Sequence, residues 1–231
     1  PPENERPYCC GRTFLEAGLI DEARKEAERL ITAAAPFVAR GVQIVGLEPS
    51  CLLTIRDEFL NIHKITGAKE IAAGSMLFEE VMTRQNVAKA IRPHLRQVEA
   101  DTLCFGHCHQ TAFGSAPAAK AVAELVPGLR VSEGKHVCCG MGTSFGYKPE
   151  NIPMSLQIGE TSLFPQIRAA DRDTLLVADG FACRTQILHG TGRTARHTAV
   201  LLKLALAIGE LSNMDTDEDE NSTKAKRLTR L

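Results

Sequence analysis

Two adjacent cysteines, Cys138 and Cys139, sit in a stretch from His136 to Tyr147 that also holds Gly140, Gly142 and Gly146. Thiolates are soft ligands that select zinc, copper(I) or iron–sulfur clusters. Neighbouring side chains of a regular strand point to opposite faces, so both thiols reach one ligand only where the backbone turns between them. Glycine permits that turn and lets the main chain approach a bound group, which places Gly140 beside whatever the thiols hold. A second triplet, Cys9-Cys10-Gly11, opens the chain. The bland alternative is that cysteine fills a core as a small hydrophobe. Two such triplets among eight cysteines, each with a matched downstream cysteine, weigh against it.

The matched residues are Cys51, 41 positions after Cys10, and Cys183, 44 positions after Cys139. Each follows an apolar run and precedes a helical pattern. The offset between the copies is 129 positions at the pairs and 132 at the single cysteines, which reads as an internal duplication. Cys108, Cys138, Cys139 and Cys183 supply four thiols, a complete ligand set. Cys9, Cys10 and Cys51 supply three. Cys104 lies in an apolar strand and reads as a core thiol. Cys-x2-Cys spacing of the zinc-knuckle kind is absent.

The elements that must position these residues alternate between strand and helix. One amphipathic helix is expected over Thr13 to Ala39, with breaks near Gly18 and Pro36. A buried strand over 42–47 follows, and Ser50 is the expected N-cap of a helix from Cys51 to about Ile62. The span 65–100 reads as helices without a site. A strand over 101–106 runs into His107-Cys108-His109, then a helix from Gln110 to Val126. A brief strand over Leu129 to Val131 follows. Met154 to Ala169 reads as helix with a kink at Pro165. A strand over 174–179 leads to Cys183, and Thr194 to Leu211 is the last long helix. Alternating strands and helices argue a parallel sheet with ligands at strand C-terminal ends. The expected fold is α/β, with two duplicated Rossmann-like parallel-sheet units related by pseudo-symmetry. The units are residues 1–100 and 101–211, followed by a disordered, charge-rich tail over 212–231.

In the second copy Cys108 precedes the pair by 30 positions, and the same interval in the first copy falls upstream of Pro1. The first unit is therefore expected to be N-terminally truncated, and the chain, which begins without Met, to be a piece of something longer. Its three-thiol site is expected to be labile and near a frayed terminus, the second site ordered under its glycine loop.

Composition narrows the class. The 231 residues carry a formal net charge of −1, which gives no electrostatic footprint for nucleic acid. The sequence shows no membrane span and no secretory signal, so metal or redox use of the cysteines is favoured over disulfides. The expected location is cytoplasmic, with peripheral association at the inner membrane left open. Arg184, His189, Arg193 and His197 follow Cys183 as a basic rim for an anionic cluster or a docking partner, or as ordinary helix-capping residues. His107 and His109 flank Cys108, and hydrogen bonding is favoured over ligation. Glu48 and Asp179 read as a capping pair. Phe145 and Tyr147 read as loop packing, and the glycine loop lacks the lysine of a phosphate loop.

The triplets and their partners resemble the cysteine-rich (CCG) domain. That domain occurs in heterodisulfide reductase, in the iron–sulfur subunits of glycolate oxidase, in a subunit of anaerobic glycerol-3-phosphate dehydrogenase and in lactate-utilisation proteins. The sequence is most similar to the C-terminal part of fused FAD-linked D-2-hydroxy-acid dehydrogenases. The matching pieces are Cys9-Cys10-Gly11-Arg12-Thr13, Gly46 to Cys51, Gly106 to Gln110, Cys138 to Tyr147 and Ala178 to Ile187. The resemblance implies an iron–sulfur cluster, 4Fe-4S in type. It also implies FAD on a missing domain or partner that oxidises D-lactate, glycolate or D-2-hydroxyglutarate, and a downstream electron acceptor. The chain alone is not expected to turn over substrate. Where heterodisulfide reductase has Cys-x-x-Cys, this sequence has Glu48 to Cys51 and Gly180 to Cys183, one cysteine short each. That departure speaks against heterodisulfide cleavage. Two other readings use the same thiols: a zinc-stabilised interaction domain without catalysis, and thiol–disulfide chemistry at a vicinal pair.

Overall fold

Short apolar runs separated by helices need long crossovers, and long crossovers make parallel sheets. The computed structural model describes residues 6–62, 65–135, 138–142 and 144–206. Within them β1 (Ile44–Gly46) pairs in parallel with β2 (Ser75–Leu77). A second, all-parallel sheet contains β3 (Ala100–Phe105), β4 (Leu129–Glu133), β5 (Leu175–Ala178) and β6 (Ala195–Arg196), in the order β4-β3-β5-β6. The α/β class is the fold found.

That order places the site. The chain leaves β3 to one side for β4 and returns to the other side for β5. The crevice beyond the C-terminal ends of β3 and β5 is a topological switch point, where parallel sheets bind ligands. Phe105 stands opposite Ala178 in register. The helix Cys108–Ala112 therefore starts beside the helix Phe181–Thr191, which carries Cys183.

The main hydrophobic cluster lies beneath this crevice and includes Phe105, Met141, Phe164, Ile167, Leu176 and Ile187 together with Cys139 and Cys183. A separate cluster packs Cys10 with Ala23, Ala27, Ile31, Ile55, Phe59 and Ile71. A third joins Phe78, Met82 and Ala88 to Val122, Leu125 and Leu202, and so crosses the boundary expected at residue 100.

Several expected elements change. The first helix is two, Arg12–Glu16 and Ile20–Val38, and Pro36 stays inside the second. Pro36 lies in the last turn, where the chain is about to leave the helix. Ser50 is not the N-cap: the helix is Pro49–Arg56, with Pro49 at its first position and Glu48 as the cap. Residues 75–77 were expected in helix and form β2, and residues 195–196 form β6. Strands of three and two residues are too short to show a period of two. Gln110 to Val126 divides into Cys108–Ala112 and Pro117–Ala123, because Gly114 and Pro117 interrupt it. Met154 to Ala169 divides into Ile152–Glu160 and Leu163–Ala169, so Pro165 sits in a first turn rather than at a kink. The last helix is described as Thr198–Leu206. The tail over 212–231, and His136, Val137 and Thr143 of the central stretch, lie outside the described residues.

Candidate metal centre

Both Cys-Cys-Gly triplets take one local geometry. The N–H of Gly11 donates to Cys9 Sγ at 3.3 Å, and the N–H of Gly140 donates to Cys138 Sγ at 3.3 Å. Both glycines have left-handed backbones, with φ of 75° and 93°. Each turn is pressed against the main chain of a helix. A Cβ on Gly11 would meet Ala23 O at 3.0 Å, and one on Gly140 would meet Ser155 O at 2.1 Å. The turn buries the second cysteine of each pair and leaves the first more open. Cys10 and Cys139 are 7% and 6% exposed, whereas Cys9 is half-buried and Cys138 exposed. The burial split therefore runs within each pair. It does not run between an ordered second pair and a frayed first pair, as the sequence led one to expect.

The single cysteines complete two groups. Cys183, third residue of its helix, donates its thiol to Cys139 Sγ at 3.7 Å. That hydrogen bond lowers Cys139 to about 7 against the opposing effect of burial. Cys183 itself is raised, by the same bond and by burial. Cys10 is lowered to about 7 by a hydrogen bond from Cys51, and Cys51 is raised by it. Cys108 is raised by partial desolvation and then by the Cys138 and Cys139 sulfurs. The thiols thus couple electrostatically as Cys9, Cys10 and Cys51 on one side, and Cys108, Cys138, Cys139 and Cys183 on the other. Cys104 is 1% exposed and burial pushes it up to about 12, the state of an inert core thiol.

A crevice of about 420 Å³ opens beside Cys108, Cys138 and Cys139. Cys108, Cys138 and Cys139 line it with His107, and Arg12, Ser50 and Glu58 line it from the first triplet's side. Arg12 bonds Glu58 at 2.7 Å, so the first side presents a paired rather than a free cation. The N–H of Ser144 donates to Glu16 Oε2 at 2.9 Å and anchors the glycine loop across the crevice.

No protein-family model matches the chain. Over 203 residues, 86% of the chain, it is 27% identical to a subunit of the anaerobic glycerol-3-phosphate dehydrogenase of Escherichia coli (strain K12). Over 176 residues it is 28% identical to D-2-hydroxyglutarate dehydrogenase of Pantoea ananatis (strain AJ13355). The chain is a homologue of both. It agrees in this with the resemblance to the cysteine-rich (CCG) domain family. It spans 50% of the length of the first homologue and 16% of the second.

His107, Arg184, Arg193 and His197 act as braces, whereas His189 is exposed. His107 is buried, its Nδ1 accepts from the N–H of His109 at 3.1 Å, and its Nε2 meets Ser50 Oγ at 3.2 Å. Burial lowers it to about 4, so at neutral pH it is an uncharged imidazole that orients the Cys108 turn. Arg184 donates to the carbonyl of Ala178 at 2.9 Å and braces the turn before Cys183. Arg193 donates to the carbonyls of Ile167, Ala170, Arg172 and Thr174. His197 is buried and bonds Leu47 O at 2.7 Å. These contacts favour the capping reading of the basic cluster over the rim reading.

Sequence reasoning missed one cluster. Glu79, Asp179 and His197 bring ligand-type atoms within 4.8 Å of one another, all buried. The Thr198 hydroxyl lies 3.0 Å from Glu79 Oε1 and 2.9 Å from Asp179 Oδ1. The His197 ring is already committed: Nδ1 accepts from Ala199 N at 2.9 Å, which leaves its proton on Nε2 facing Leu47 O. The imidazole therefore offers a metal no free lone pair, and each carboxyl bonds Thr198 through one oxygen while Glu79 Oε2 and Asp179 Oδ2 stay buried without a hydrogen-bond partner. Burial, then the Asp179 charge, raises Glu79 to about 8. In the unfolded chain the group ionises near 4.5. Between those values the folded state holds a proton that the unfolded state has released, so this group's contribution to stability falls as pH rises. Glu79→Gln is expected to remove that slope. Urea midpoints at pH 5 and pH 8 should show a smaller pH-dependent drop in the variant than in the parent chain. Equal drops would contradict the assignment.

Proposed function

We propose that the chain is an iron–sulfur electron-transfer module that works with a flavin-dependent 2-hydroxy-acid dehydrogenase. The observation that carries the reading is that Cys108, Cys138 and Cys139, from separate segments, line one switch-point crevice, with the Cys183 thiol 3.7 Å from Cys139 Sγ behind it. The donor set fits such a group: four soft sulfurs and a glycine turn with no room for a side chain. Cys108, Cys138, Cys139 and Cys183 would hold it, and Cys9, Cys10 and Cys51 would form a second, three-thiol group. A bound cluster supplies one-electron storage between a flavin and an acceptor.

The chain's own residues do the positioning. Gly140 bends the main chain so that its N–H meets Cys138 Sγ and fixes the turn between the two thiols. The neutral His107 ring and the apolar cluster beneath Cys139 and Cys183 shield those two sulfurs from water, while Cys108 and Cys138 are exposed. FAD and substrate chemistry are assigned to a partner domain or subunit, in line with the dehydrogenase names of the homologues. A D-2-hydroxy acid of the glutarate, lactate or glycolate kind is the proposed substrate of that partner. The proposed location is cytoplasmic, and no described helix is long and apolar enough to cross a membrane. Metal analysis after anaerobic isolation tests the reading. Iron with acid-labile sulfide is expected; one zinc per chain without iron would favour the interaction-domain alternative.

A further inference from the structure

The Cys183 helix begins without a cap of its own. Its N-cap residue is Gly180, which has no side-chain oxygen to offer the free N–H groups of the first turn. Position 180 has no room for one either. A Cβ there would lie 2.3 Å from His107 Cδ2 and 3.2 Å from Cys183 Sγ. The N–H of Phe181 instead donates to Glu48 Oε2 at 2.8 Å, across 133 positions of sequence. The other oxygen of that carboxylate accepts from Ser50 N at 3.2 Å and caps the Cys51 helix. One side chain therefore closes the first turns of the two helices that carry Cys51 and Cys183. Ser50 adds the third junction, because its hydroxyl meets the His107 ring that starts the Cys108 helix.

We propose that Glu48 is a positioning residue that holds the Cys51 and Cys183 junctions as one assembly, by capping both helices with one carboxylate. The proposal deepens the reading of these cysteines as ligand groups, and its test uses the metal-free chain, so the two can fail separately.

The test is pulse alkylation of the reduced, metal-free chain with iodoacetamide, read cysteine by cysteine by peptide mass spectrometry. Cys104, 1% exposed in β3, reports global opening. Glu48→Ala is expected to speed Cys183 labelling about tenfold, equivalent to ~1.4 kcal/mol and to one lost cap, with Cys104 unchanged. Glu48→Gln keeps one acceptor oxygen and is expected to fall between the parent and Glu48→Ala. An unchanged Cys183 rate would overturn the proposal. So would a Cys104 rate that rises in step with Cys183, because Glu48 would then be a general stabiliser. If Glu48→Ala does not fold, Glu48→Gln decides on the same contrast between Cys183 and Cys104. Iron content is assayed separately: a chain without iron contradicts the cofactor reading and leaves the labelling result to decide the role of Glu48.

Discussion

Cys183→Ala is expected to abolish metal retention in the four-thiol group, while Cys51→Ala leaves that group nearly intact. Cys183 is 8% exposed, sits under the glycine loop and shares a hydrogen bond with Cys139. Its loss leaves three sulfurs and opens the buried side of the site to solvent. Changes outside the ligand shell weaken metal sites by about 10–100-fold, so loss of a ligand is expected to exceed that. Cys51 couples to Cys10 and Cys9 instead. Iron per chain after anaerobic reconstitution, measured for both variants, decides the point. If Cys51→Ala costs as much iron as Cys183→Ala, the two groups share one centre and their separation is wrong.

Gly140→Ala is expected to be the most damaging single change to the loop. The new Cβ would lie 2.1 Å from Ser155 O, at a backbone φ of 93°. The carbonyl cannot readily yield, because Gln186 Nε2 holds it at 3.0 Å from within the Cys183 helix. Left-handed strain costs about 1–3 kcal/mol and overpacking about as much again. A fall in melting temperature of roughly 10 °C is expected for a chain of this size. Because the strain falls on the Cys139 turn and the Cys183 helix together, metal should be lost as well. A variant that keeps both its melting temperature and its metal would show that the turn can relax.

The legible parts of the chain were those with strong local chemistry. Thiol pairs beside glycine, apolar runs such as 174–179, and a cysteine just inside a helix all carry their meaning in adjacent residues. The α/β class followed from their alternation. What escaped depended on contacts between distant residues. Glu48 read as a local cap because its second partner, the N–H of Phe181, is set only by folding. Glu79, Asp179 and Thr198 look unremarkable one at a time, and only the packing of the Phe78 region against the last helix joins them. Arg184 and Arg193 stayed open between a docking rim and capping residues, because sequence cannot show that their donors already meet backbone carbonyls. The duplication stands as a proposal. The shared geometry of Gly11 and Gly140, and the matched thiol pairs Cys10–Cys51 and Cys139–Cys183, support it.

The central claim is that the four-thiol group carries an electron-accepting cluster. The most direct test is the visible spectrum of the anaerobically reconstituted chain before and after dithionite. A broad brown absorbance that bleaches on reduction, returns on reoxidation and is missing in Cys183→Ala is the predicted result. A colourless chain, or one whose absorbance does not respond to reduction, would contradict it.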